Sequence, residues 1–382
     1  MRVLVTFTGG TGHFLPTLPY ARGLRARGHT IRYACQSAMI GVVQAAGFPA
    51  ADNGGATLLP SGQRRSLAPV DRLHEQQVVA DFLIRRVGAE RAARTAALMD
   101  GWRPDLVLRD EVDVGVGVAA EAAGVPCADV IVIAAGGLLD PELLQAPVTE
   151  LRTRHGLPVD DFPAGVHGRL TLDPVPPGLR DPADPLPGTA VPVRPSILDE
   201  DLTPALDASQ SGRRSVYVTL GTVFPQESGD LFPRVLAGLH DLDADVLVTV
   251  GRELDPAEWG PQPPHIRIER FVPLGEALAG RDLVVSHAGS GTVVATLAVG
   301  LPSVLLPMGA DQPWVADRSR ALGACRVLDP LTCTPAGVRS TVVPLLEDCA
   351  ERHAATDIAR AAAALPTTTE AVDLLEHLAQ CS

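Results

Sequence analysis

Two histidines in this sequence stand where a side chain can act on a ligand. His287 opens the segment His287-Ala-Gly289-Ser290-Gly291-Thr292, directly after an apolar run and before an uncharged helical stretch. Glycines at such a turn let the backbone approach a ligand closely, and the unpaired N–H groups of a helix start attract phosphate. The imidazole and the hydroxyls of Ser290 and Thr292 can add donors to phosphate oxygens. A helix cap beside a core histidine is the alternative for this segment taken alone. A serine-hydrolase elbow is excluded, because Ala288 stands where G-x-S-x-G needs its first glycine. Further on, Asp311 and Gln312 place an acid and an amide side by side at a strand end, which suits a polyhydroxy ligand. A helix N-cap at Asp311 competes with that reading.

The second histidine follows Val3–Phe7 and the turn Thr8-Gly9-Gly10-Thr11-Gly12. A dinucleotide fingerprint would need a glycine where Leu15 stands and an acid where the next strand ends in Cys35-Gln36. Both departures argue against NAD and FAD. What remains is a glycine turn presenting His13 at the top of a sheet. A histidine there can serve as a general base near neutral pH if a carboxylate orients it. Asp110 is the best-placed carboxylate, with Glu111 and Asp113 as alternatives; for His13 itself the alternative is a helix N-cap.

The elements that must position these residues alternate between apolar runs and helices, as in an α/β protein with parallel sheets. Val3–Phe7, Thr30–Cys35, Leu106–Leu108 and Cys127–Ile133 read as strands, with an Ala-rich helix over Val112–Ala123. Residues 52–101 form a long insertion leading into a helix from about Arg72, a position that suits substrate contacts. From Asp173 to Pro195 the chain is too Pro-rich for a helix or a central strand, and the domain boundary is placed there. The pattern restarts with Val216–Leu220, Val246–Val250, Leu283–Ser286 and Val304–Leu306. The expected division is an N-terminal domain over 1–195, a linker over about 173–205, a second domain over 206–365 and a terminal helix over 366–382. The segments around Asp105–Asp110 and Asp282–His287 form a weak internal repeat. Facing sheets would bring Asp110 and His287 into one cleft, since ligands bind at the carboxyl ends of parallel strands.

Composition narrows the chemistry. All 32 basic residues of this 382-residue chain are arginine, so a Walker-A lysine, a lysine Schiff base and a lysine general base are impossible. The net charge of −13 disfavours nucleic acid as a partner. Six scattered cysteines without a CxxC point to reduced thiols and a cytoplasmic protein. Val3–Phe7 is too short for a signal-peptide core, and the uncharged stretch 288–310 is broken by Pro302, Pro307 and glycines, so no transmembrane segment is expected. The run Asp241-Leu-Asp243-Ala-Asp245 lacks the glycine and the final glutamate of a calcium loop, Asp199-Glu200-Asp201 reads as a solvated face, and the histidines form no ligand pair. No metal is expected.

The combination resembles the nucleotide-sugar-dependent glycosyltransferases of the GT-B fold, family 1, above all the bacterial natural-product enzymes that glycosylate polyketides and macrolides. The resemblance spans the whole chain. It is most specific from Phe271-Val272-Pro273 through His287–Thr292 and Gly300-Leu-Pro302 to Asp311-Gln312. Gly12-His13 with Pro16 and Arg27-Gly28-His29 is a second anchor, and Pro104-Asp105 leading to Asp110 is a third. It implies two facing Rossmann-like α/β domains with parallel sheets and a cleft between them. His13 would deprotonate the acceptor hydroxyl and Asp110 would orient it, the choice over Glu111 resting on a one-residue alignment. His287 would contact the donor diphosphate with Gly289, Ser290, Gly291 and Thr292, while Gly221 and Thr222 line its other side. The backbone at Val272 would read the base beside Phe271, and Asp311 and Gln312 would hold sugar hydroxyls. Phe14 is the expected acceptor contact.

The implied reaction is an inverting, metal-independent transfer from a nucleotide-sugar, by expectation a dTDP-deoxysugar, to a hydroxyl of a hydrophobic small molecule. No cofactor is expected, the nucleotide-sugar being a co-substrate, and a homodimer is compatible with the reading. The Thr8–His13 loop is also similar to that of the lipid-linked GlcNAc transferases of cell-wall synthesis, so a UDP-sugar enzyme is an alternative. A nucleotide-sugar 2-epimerase of the same fold would need no acceptor pocket, which the 52–101 insertion argues against. A non-catalytic sugar-nucleotide binder would need no base.

Overall fold

The apolar runs become the inner strands of two parallel sheets. The computed structural model describes residues 1–56, 66–159, 166–199, 212–221 and 228–381; Thr222, Glu200 and Asp201, and parts of the 52–101 insertion and the linker, lie outside them. The first sheet holds β1 (Arg2–Thr6), β2 (Thr30–Cys35), β3 (Ala50–Asp52), β4 (Leu106–Asp110), β5 (Cys127–Val130), β6 (Leu170–Asp173) and β7 (Ala190–Pro192), in the order β3-β2-β1-β4-β5-β6-β7. The second holds β8 (Arg214–Thr219), β9 (Ala244–Thr249), β10 (Ile266–Glu269), β11 (Leu283–Ser286), β12 (Ser303–Leu305) and β13 (Cys325–Val327), in the order β10-β9-β8-β11-β12-β13.

Val and Leu dominate β1, β4 and β11, and Val216, Tyr217 and Val218 fill the middle of β8, because helices cover both faces of each sheet. β7 falls within the Pro-rich stretch. It is an edge strand with Pro192 opposite Asp173, and an edge tolerates a missing N–H. In both sheets the chain starts at an inner strand, runs to one edge, and returns to build the other side. The strand order therefore reverses between β1 and β4 and between β8 and β11, where crevices open at the strands' carboxyl ends. His13 and Asp110 lie at the first reversal, and Gly221 and His287 at the second.

The two domains are joined in three ways. Ile131, Ala134, Ala135, Val175 and Leu179 of the first share a buried cluster with Ala288, Val293, Leu297, Val315 and Ala316 of the second. Arg72, which precedes the π-helical stretch Val78–Gly88, pairs with Asp317 and lies 5.0 Å over the Trp314 ring. The last helix, Thr368–Gln380, returns to the first domain, where Ala371, Val372 and Leu375 are buried beside the helix Leu18–Ala26. There Arg27 meets Asp373 at 2.5 Å and Glu376 at 2.7 Å, and His29 meets Glu376 at 2.6 Å. Arg27-Gly28-His29 thus fastens the two ends of the chain together. Among the described residues, no helix is long and apolar enough to cross a membrane.

Candidate active site

The turn after β1 places His13 on a single helical turn, Thr11–Phe14, reached through Gly9 in a left-handed conformation (φ 105°). Asp110 ends β4, fully buried. Its Oδ2 accepts from His13 Nδ1 at 3.0 Å and from the Thr8 backbone N–H at 2.8 Å, and its Oδ1 accepts from the Asp113 N–H at 2.7 Å. With Nδ1–H given to Asp110, His13 Nε2 carries the lone pair of the neutral ring. The ring remains 19% exposed. Burial disfavours its charged form, but the hydrogen bond and charge of Asp110, then the charges of Asp311 and Glu111, prevail and raise the pKa above its ordinary 6.5.

The other two carboxylates are engaged elsewhere. Glu111 Oε1 accepts from the N–H groups of Val132 and Ile133 at 2.8 and 2.6 Å, and burial raises its pKa. Asp113 forms a buried pair with Arg91 at 2.5 Å, and Arg91 also reaches the carbonyl of Phe7 beneath the His13 turn.

Phe14 does not face an acceptor. Its ring is 2% exposed and packs 5.3 Å from Phe7 and 5.5 Å from Tyr33. One residue along a helical turn rotates the side chain by roughly 100°, which carries Phe14 into the core while His13 stays at the cleft. The exposed apolar neighbour is Leu15, at 50%.

On the second domain, His287 Nε2 sits between two glycines. A Cβ built on either Gly221 or Gly289 would lie 2.5 Å from it, and Gly221 also has φ 79°. Burial lowers the His287 pKa to about 4, against a hydrogen bond with the Thr219 backbone that favours the charged form. The unliganded ring is therefore neutral. Gly289 stands at the N-cap of the helix Ser290–Ala298 and offers it no side-chain cap; the Asp311 carboxylate interacts with the Ser290 N–H, an acceptor at the place where a helix start favours an anion. Ala288 (φ 67°) and Ala310 (φ 50°) hold left-handed backbone in the loops after β11 and β12, a strain that clusters at ligand sites.

Asp311 precedes the helix Gln312–Ala321 but makes no side-chain cap to it. Its Oδ2 accepts instead from the Ser290 hydroxyl, and burial raises its pKa. The Ser290 hydroxyl, expected to add a donor to phosphate oxygens, thus points its proton at Asp311. Gln312 is 1% exposed and its Oε1 accepts from the Met308 N–H at 2.7 Å, so that oxygen braces the loop and only the amide NH₂ is left for a ligand. Thr292 and Gly291 lie in the first turn of the same helix.

Past β9 and β10 lies a cavity of about 710 Å³ lined by Arg252, Asp255, Pro256, Glu269, Arg270 and Phe271, with the Arg252 guanidinium 3.6 Å from the Phe271 ring centroid. Val272 packs toward a buried cluster. The charged lining was missed in the sequence. The loop Gly251-Arg252 after β9 was the available signal, since the carboxyl ends of neighbouring parallel strands share one crevice.

Residues 233–378 match the family model described as the C-terminal domain of erythromycin biosynthesis protein CIII-like proteins. The chain is 30% identical to tylactone mycaminosyltransferase of Streptomyces fradiae, over 99% of this chain and 92% of that one. It is 31% identical to L-demethylnoviosyl transferase of Streptomyces niveus, over 85% of this chain and 84% of that one. The chain belongs to the bacterial antibiotic glycosyltransferases. The GT-B fold of this glycosyltransferase is shared with spinosyn rhamnosyltransferase SpnG complexed with thymidine diphosphate, at a TM-score of 0.82 and 23% identity, covering 98% of this chain and all of that one. Expected donor residues Gly221, Phe271, His287, Gly289 and Asp311 of the glycosyltransferase lie along one edge of its second sheet, across from His13 and Asp110.

Proposed function

We propose that the enzyme transfers a deoxysugar from a dTDP-sugar to a hydroxyl of a hydrophobic aglycone, with inversion and without a metal. The observation that carries this reading is the His13–Asp110 pair at 3.0 Å, with Asp311 of the other domain near enough to act on the charge of His13. His13 Nε2 takes the acceptor proton as the acceptor oxygen bonds to the anomeric carbon. The bond from that carbon to the diphosphate oxygen breaks on the opposite side, and the nucleoside diphosphate leaves with the electron pair. Asp110 holds the tautomer and stabilises the imidazolium. The helix start at Ser290–Thr292, with Gly221 and Gly289, receives the developing charge through fixed dipoles.

The order of sites along the second sheet supports a nucleotide-sugar donor. Phe271 at the ends of β9 and β10 receives the base, the β8–β11 crevice the diphosphate, and Asp311 with the Gln312 amide beyond β12 the sugar. Neighbouring strands lie about 4.8 Å apart, so these three stations span the length of such a molecule. The deoxysugar and dTDP follow relatives named for mycaminose and noviose transfer and a structural neighbour holding thymidine diphosphate. Exposed Leu15 beside His13 suits an apolar acceptor.

A thermal-shift panel of dTDP, UDP and GDP tests the donor. Stabilisation by dTDP at concentrations where UDP and GDP do little is expected; a UDP preference would move the enzyme to a different donor class.

A further inference from the structure

The Ser290 hydroxyl bonds to both domains. Its Oγ accepts from the Ala134 backbone N–H at 2.9 Å and donates to Asp311 Oδ2. Ala134 follows β5 in the first domain and is 1% exposed, whereas Ser290 and Asp311 belong to the second; Ser290 is 7% exposed. The Ala134 peptide is itself held in place. Glu111 Oε1 accepts from Val132 and Ile133 N–H at 2.8 and 2.6 Å, and the Ile133 carbonyl accepts from Arg180 at 3.1 Å. Glu111 is the neighbour in sequence of Asp110, which orients His13. A continuous set of contacts therefore runs from the end of β4, through the loop after β5 and across the interface, to Asp311.

We infer that Ser290 is a positioning residue that ties the seating of the first domain against the second to the orientation of the Asp311 carboxylate. A hydroxyl has one proton and rotates freely. Acceptance from the Ala134 N–H fixes one lone pair of Oγ and leaves the proton aimed at Asp311. When the domains separate, the Ala134 N–H withdraws and the hydroxyl is free to turn. Turning Ser290 toward a phosphate while the domains are closed would leave both the Ala134 N–H and Asp311 without this partner inside the protein, an arrangement that buried polar groups avoid. Full sugar affinity is thus reached only when the domain carrying His13 is in place.

This inference rests on Asp311 contacting the sugar, as proposed above. Calorimetry of the full chain with dTDP and with dTDP-glucose separates the two ideas. Ser290→Ala should hold dTDP within about threefold of wild type and weaken dTDP-glucose about tenfold, with Ser290→Thr recovering most of that loss. In an Asp311→Asn background, Ser290→Ala should add no further loss. Equal weakening of both ligands by Ser290→Ala would make Ser290 a diphosphate contact and overturn the inference. So would full additivity with Asp311→Asn. If Asp311→Asn shifts the ratio of the two affinities and Ser290→Ala does not, the inference alone fails. If Asp311→Asn leaves that ratio unchanged, Asp311 is not a sugar contact and both fail.

Discussion

Asp110 accepts three hydrogen bonds on its two oxygens, and that arrangement decides what His13 can be. Held at Nδ1, the ring presents Nε2 as a base, and its raised pKa makes it a stronger one at the cost of being protonated over more of the acid range. The base must be neutral to act, so kcat/KM should fall as pH drops through a value above 6.5. Asp110→Asn removes the favourable charge and leaves burial opposed by less, so its acid limb should move to lower pH while the rate falls roughly 100- to 10,000-fold. A pH–rate profile of the two proteins checks this; an unmoved limb would show that the group titrating is not His13. The choice between Asp110 and Glu111 was open in the sequence because both follow the same apolar run. The structure separates them: Asp110, the last residue of β4, meets His13 Nδ1, whereas Glu111, in the turn beyond the strand, accepts from the Val132 and Ile133 N–H groups.

At the scale of elements, the central strands were legible because burial on both faces demands unbroken Val, Leu and Ile. β3, β6, β7, β10 and β13 were not singled out. They are of three or four residues each, and four of them lie at sheet edges. Phe14, the expected acceptor contact, is buried for a reason the helical period carries. Phe14, Leu18 and Ala21 recur at the spacing of a buried face, and all three are in the core. The proposed donor loops were legible through their glycines, two of which make room for the His287 ring. Gly221 permits the left-handed turn and makes room for His287. Gly221→Ala should displace that ring, lower dTDP affinity at least tenfold and destabilise the fold by about 1–3 kcal/mol. Calorimetry together with denaturant melts checks both; unchanged affinity would remove the His287 cradle from the nucleotide site.

For the molecule as a whole, the absence of lysine and a net charge of −13 pose the problem of holding a diphosphate. Burial keeps His287 neutral and the Ser290 hydroxyl faces Asp311, so the proposed diphosphate is left to the helix start, the left-handed backbone around it and the uncharged His287 ring. Arg252 and Arg270 add two cations at the cavity beside Phe271. The chain crosses between domains twice, once after β7 and once before the terminal helix. In the proposed mechanism, closure would bring His13 of one domain to the donor held by the other and exclude water from the reacting carbon.

The central claim is that His13 acts on the acceptor and not on the donor. It is tested most directly by His13→Ala, assayed for sugar transfer under single turnover and for dTDP binding by calorimetry. The account predicts transfer reduced by about 100-fold or more, with dTDP affinity within a few-fold of wild type. Undiminished transfer, or loss of transfer only in proportion to lost dTDP binding, would contradict it.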